Sequence, residues 1–93
     1  MKDARRLFAA LADGNRLRIL FLLAKREMYV SEIARRLSLS QPAVSHHLAV
    51  LKNTSLVHSQ RHGKRTLYSI NSRMLNDLLD YIAGKFSGGD REN

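Results

Sequence analysis

SLSQPAVSHHLAVLKNTSLV, residues 38–57, is the stretch on which the fold turns. Ser38-Leu39-Ser40 reads as a turn and Ser40 as the cap of a helix expected over residues 41–53. Pro42 falls in the first helical turn, where no hydrogen-bond donor is lost. At roughly 100° per residue, Val44, Leu48 and Leu51 share one side of that helix. Pro42, His46, Ala49 and Asn53 take the opposite side, with Ser45 and Val50 flanking and Gln41 at the N-terminal end. One side is built to pack and the other to face solvent or a ligand.

Upstream, three further helices are expected. Ala4, Leu7, Phe8 and Leu11 recur at helical spacing over residues 3–12. Asp13-Gly14-Asn15 breaks that helix, and Asp13 can cap the next, over residues 15–24. The run ILFLL, residues 19–23, is apolar almost all round and reads as the buried centre of the fold. Tyr29 and Val30 read as extended, too short to stand alone and placed to pair as a third strand. A helix over residues 31–37 then has Ser31 as N-cap, Glu32 where the helix dipole favours an acid, and Ile33, Ala34 and Leu37 inward.

Downstream the period changes from helical to alternating. Residues 57–61 and 65–70 read as two strands, with Thr66, Tyr68 and Ile70 on one face. His62-Gly63-Lys64 joins them, with glycine where a tight turn needs positive φ. Asn71 or Ser72 caps a last helix over residues 73–86, striped by Leu75, Leu78, Leu79, Ile82 and Phe86. Ser87 to Asn93 is polar, carries two glycines and reads as a disordered tail to a unit spanning residues 1–86. The order α-α-α-α-β-β-α, mainly helical with a small hairpin, is that of a winged helix-turn-helix.

Composition fits a nucleic-acid partner. The 93 residues carry a formal net charge of +8, which favours a polyanion: nucleic acid first, an anionic membrane surface second. With no cysteine, disulfides, thiolate metal ligands, thiol redox sensing and cysteine nucleophiles are excluded. No apolar run is long enough to cross a bilayer and no signal-peptide core is present, which fits the cytoplasm.

The candidate reading face is on residues 41–53. In helix-turn-helix proteins the first residues of the second helix reach base edges in the major groove. Gln41 offers an acceptor and a donor side by side, as adenine requires; Ser45 suits a base or a phosphate; His46 can donate to guanine or phosphate. No Arg or Lys stands on this helix before Lys52, so bidentate arginine–guanine pairs are not available from it. Specificity is then either modest or rests on DNA shape and on the hairpin. Its tip, with Arg61, His62, Lys64 and Arg65, can lie along a phosphate strand or enter the minor groove. Arg35, Arg36 and Lys52 suit either phosphate contacts or ion pairs.

Catalysis and metal binding find no support. There is no phosphate loop or nucleophile–base set, and Ser45 beside His46 is a pair of helix neighbours rather than a dyad. Among the four histidines none pair at i, i+4 on a helix, so no metal or cofactor is expected. An RNA-recognition sheet would need stacking aromatics where only Tyr68 stands. The competing readings are nucleoid-like coating of DNA and a winged helix used only for protein contacts.

LADGNRLRIL, residues 11–20, and residues 38–57 resemble the LADPTRLRIL and LSQPAVSRHLRVLRDAGLV segments of the ArsR/SmtB family, with similarity over residues 4–86. The resemblance implies a homodimeric winged-helix regulator of double-stranded DNA, most members being repressors. It implies DNA contacts on Gln41, Ser45 and His46, with Ser40 opening that helix, and dimerisation or adjacent core at Leu7, Phe8, Leu11, Leu75, Leu78, Leu79, Ile82 and Phe86. His47 matches a family histidine, and its place near the core boundary suggests a structural, hydrogen-bonded role. The family's Cys-containing metal box corresponds to EMYVSE, residues 27–32, without a thiol. The last helix has Asp77 and Asp80 but no histidine to complete a zinc pair. Any effector is therefore of another kind.

Overall fold

A computed structural model describes residues 4–90, with side chains through residue 86. Its elements are α1 (Ala4–Leu11), α2 (Gly14–Lys25), β1 (Met28–Tyr29), α3 (Val30–Leu37), α4 (Gln41–Asn53), β2 (Val57–His62), β3 (Arg65–Ile70) and α5 (Ser72–Asp90). Among the described residues no helix is long and apolar enough to cross a membrane.

The caps set the entry angles of the helices. Asp13 accepts from the backbone N–H groups of Asn15 and Arg16 and starts α2. Ser38 ends α3 in the left-handed region at φ 56°, and Leu39 N–H returns to Ala34 O at 3.0 Å. Two residues later Ser40 Oγ accepts from Ala43 N–H at 3.2 Å and opens α4. This three-residue turn holds α4 across α3. α4 closes with Ser55 at φ 62° and a Leu56 N–H to Leu51 O bond of 2.9 Å, the six-residue closure of a Schellman end.

β1, β3 and β2 form an antiparallel sheet in that order. The hairpin register runs from Val57↔Ile70 to His62↔Arg65, leaving Gly63 and Lys64 as a two-residue turn. Gly63 stands at φ +63° in the first central position, where a type II′ turn requires it. β1 pairs Met28↔Tyr68 and Tyr29↔Leu67, tying the start of α3 to the wing.

The core is assembled from one face of each helix. Ile19, Leu20 and Leu23 of α2, Ile33, Ala34 and Leu37 of α3, and Val44, Leu48 and Leu51 of α4 form one buried cluster. Leu7, Met28, Leu56, Val57 and Leu78 complete it. Met74, Leu75, Tyr81 and Ile82 seat α5 on this core, and Ala83 to Phe86 leave it again as exposed residues.

Three local expectations need correcting. α2 is not buried all round: Phe21 is 66% exposed, because the helix packs only the face carrying Ile19, Leu20 and Leu23. Ser31 does not cap α3. Pairing with β3 holds the backbone extended only as far as Tyr29, so α3 begins at Val30 with Tyr29 at the cap and no side-chain cap bond. Helical backbone of α5 continues through Asp90, so residues 87–90 of the expected polar tail lie within it, and residues 91–93 lie outside the described residues. Leu7 and Leu78, for which dimerisation or adjacent core was expected, are 2% and 1% exposed and belong to the chain's own core. Asn71 is the residue that caps α5: its Oδ1 accepts from Met74 N–H at 3.2 Å.

Candidate nucleic-acid interface

α4 and the wing converge on one cleft of about 360 Å³. Gln41 and Ser45 line it from the first turns of α4, and Lys64, Arg65 and Thr66 line it from the wing. Tyr29, Val30, Ser31 and Tyr68 complete its lining. Two cations and no carboxylate stand among these residues. Two parts that are some twenty residues apart in the chain thus share one basic, hydroxyl-rich recess.

The outward face of α4 is as the helical period demands. Gln41, Pro42, Ser45, His46 and Ala49 are exposed, while Val44, Leu48 and Leu51 are wholly buried. Ser40 is exposed too, but its hydroxyl is committed to the Ala43 amide, so its first duty is holding α4. His46 lies on the same exposed face without lining the cleft.

The four wing residues are all exposed but differently held. The Arg65 guanidinium lies 3.6 Å above the centre of the Tyr29 ring. His62 meets the same ring edge-on at 6.3 Å between centroids. Arg61 Nε donates to Gly63 O at 2.7 Å, folding that side chain back on the turn. Lys64 stands at the tip.

His47 takes the structural place expected of it. Arg16 Nη1 donates to His47 Nδ1 at 3.3 Å, and Asp13 Oδ1 lies 4.0 Å from that nitrogen. Arg16 also donates from Nε to Ala10 O at 2.6 Å. It therefore joins the end of α1 to the back of α4, a link that no sequence pattern announced. Backbone N–H donation, from Arg16 above all, holds the Asp13 carboxyl below its usual value.

Arg36, for which phosphate contact and ion pairing were both open, takes part in an ion-pair cluster. Glu32 is bonded by Arg26, with Arg36 Nε 3.8 Å away. The Arg26 hydrogen bond is the main cause of a lowered Glu32 carboxyl pKa. Glu32 thus draws two arginines to the side of α3. Among the described residues no group of three or more His, Cys, Asp or Glu is arranged to hold a metal ion.

Reading the sequence missed Tyr29, Ser31 and Thr66 as parts of this surface. The signal for Tyr29 was its extended setting next to a helix start. Without the β1–β3 register, nothing linked it to Arg65.

The chain has close parallels among known proteins. A family model described as bacterial regulatory protein, arsR family, matches residues 13–59, from the Asp13 cap through α4 into β2. The chain is 33% identical over 86 residues to the transcriptional repressor SdpR of Bacillus subtilis, covering 92% of this chain and 96% of that one. It spans 63% and 56% of the length of two other curated relatives. An ArsR-like transcriptional regulator from Rhodococcus sp. RHA1 superposes with a TM-score of 0.88 at 30% identity, covering 98% of this chain and 86% of that one. The homodimeric winged helix-turn-helix DNA-binding domain Mb0332 of Mycobacterium bovis gives 0.76 at 32% identity, over 90% and 80% of the two chains. With a winged helix-turn-helix fold, the recognition segment in place and relatives along almost its whole length, this chain belongs to the ArsR family of bacterial regulatory proteins.

Proposed function

We propose that this chain is a cytoplasmic, non-enzymatic regulator that binds operator sequences in double-stranded DNA as a homodimer and represses transcription. The observation that carries the reading is the shared cleft, which sets Gln41 and Ser45 of α4 beside Lys64 and Arg65 of the wing. Gln41, Ser45 and His46 read bases or adjoining phosphates, while Arg61, His62, Lys64 and Arg65 grip the backbone; Ser40 orients the helix that carries the readers. SdpR is named a transcriptional repressor, which favours repression as the outcome. Residues 1–86 act as one DNA-binding and dimerising unit. Any signal it answers is sensed without a thiol or a Cys-ligated metal in this sequence, which has no cysteine.

Dimerisation is proposed through α1 and α5. Phe8, Leu79 and Phe86 are 45%, 55% and 67% exposed, a costly display for a lone chain. Burying an aliphatic or aromatic side chain of this size stabilises by about 1.5–3 kcal/mol. Leu11, Leu75 and Ile82 sit half-buried at the core edge, and Leu7 and Leu78 support the surface from beneath. The Mb0332 domain is described as homodimeric, in keeping with this reading. Leu79→Asp should give a folded chain sedimenting at half the native mass. A native-like dimer from that variant would move the interface elsewhere.

Gln41→Ala tests the reading face. Its expected effect is the loss of about 1–3 kcal/mol of preference at one base position per half-site, measured by competition between operator variants. Equal weakening on every sequence would remove Gln41 from the readers. Nucleoid-like coating is the second reading, favoured by one feature: α4 presents no Arg or Lys before Lys52. Near-equal affinity for all duplexes would support it.

A further inference from the structure

We propose that the cleft between α4 and the wing seats one backbone phosphate of the bound DNA, and that Tyr29 is the positioning residue holding Arg65 over that seat. The inference rests on the DNA-binding reading above and names a subsite within it.

The sheet register explains why these two residues meet. Tyr29 stands opposite Leu67 in the β1–β3 ladder. Arg65 lies two residues before Leu67 on the same strand, so it shares that face and is a diagonal neighbour of Tyr29. The guanidinium rests 3.6 Å from the ring centre. Tyr29 itself is anchored by β1 pairing and by its place directly before α3, not by the wing turn. Its ring is therefore a fixed shelf for a side chain that would otherwise sweep a wide volume.

Stacking occupies the face of a guanidinium and leaves its N–H edge for a ligand. That edge matches the oxygens of a phosphate. An arginine already stacked also loses less rotamer freedom when it binds. Lys64 adds a second cation to the cleft, and Ser31, Ser45 and Thr66 add hydroxyl donors, with no carboxylate to oppose an anion. Arg61 makes the contrast: its Nε is already taken by Gly63 O. A phosphate in this seat would lie beside Gln41 and Ser45, so filling it would set the register of α4 against the bases.

The test is a double-mutant cycle on the whole chain, read as Kd for a duplex recovered by selection from genomic fragments. Tyr29→Phe keeps the ring and should bind within about twofold of the wild type. Tyr29→Leu and Arg65→Ala should each weaken binding by about fivefold or more at ~0.15 M salt. The double variant should bind no more weakly than Arg65→Ala alone, because Tyr29 acts through Arg65. A residue serving only the fold would add its own loss and lower the unfolding midpoint. Additive losses, or wild-type affinity from Tyr29→Leu, overturn the proposal. The DNA-binding reading survives that result if Gln41→Ala still shifts sequence preference. Should Tyr29→Leu fail to fold, Arg65→Lys decides: it keeps the charge but loses the planar stack, and unchanged affinity overturns the proposal. A wild-type chain that binds no duplex overturns the DNA-binding reading and the phosphate seat with it.

Discussion

Leu48→Ala is expected to destabilise the protein by about 2–5 kcal/mol, read as a shift in the urea unfolding curve. Leu48 is fully buried in the middle of α4, in one cluster with Ile19 and Leu23 of α2 and Ile33 of α3. Truncation removes the transfer free energy of the lost methyl groups and leaves a cavity that three helices and a sheet cannot all close upon. A domain of 93 residues has a total stability on the order of 5–14 kcal/mol, so this one change can consume a large share of it. Two positions earlier on the same helix, the exposed His46→Ala should change stability by no more than about 0.5 kcal/mol. The contrast separates the two faces of α4. A loss below about 1 kcal/mol at Leu48 would mean that α4 is not packed as described.

Replacing Arg61, Lys64 and Arg65 together by Gln is expected to weaken binding to every duplex by about two to three orders of magnitude near physiological salt. Each phosphate neutralised on duplex DNA contributes about −0.9 to the slope of log K against log salt. Three cations in each of two subunits would make about six such contacts, so the slope should become shallower by about 5. Sequence preference should be nearly unchanged, because backbone contacts position the protein and base contacts specify the site. All three side chains are exposed, so the variant should fold. An unchanged slope would remove the wing from the DNA and favour a winged helix used for protein contacts.

The parts that sequence made legible are those governed by local period. Val44, Leu48 and Leu51 recur at helical spacing, and all three are buried, with α4 spanning residues 41–53 as expected. Ser40 and Asp13 are short polar residues before helical runs, and both cap. β3 spans residues 65–70 as its alternation indicates, and Gly63 takes the positive φ its turn needs.

What stayed hidden depends on contacts between distant residues. The Tyr29–Arg65 stack needs the β1–β3 register, which pairs positions almost forty residues apart. The Arg16–His47 link joins α2 to α4 across 31 residues. Phe21 looked buried because hydropathy counts residues without knowing how many neighbours surround the helix. Ser31 looked like a cap because local chemistry favours serine there, but sheet pairing set where the extended chain ended. Period also cannot divide an apolar stripe between a chain's own core and a partner. On α5, Leu78 went to the core and Leu79 to the surface.

If the α4 and wing surface recognises particular sites in duplex DNA, the purified protein should, at one fixed salt concentration, bind a duplex recovered from genomic fragments more than about 10³ times as tightly as random duplex. Equal affinity for the two would mean that this surface does not read sequence.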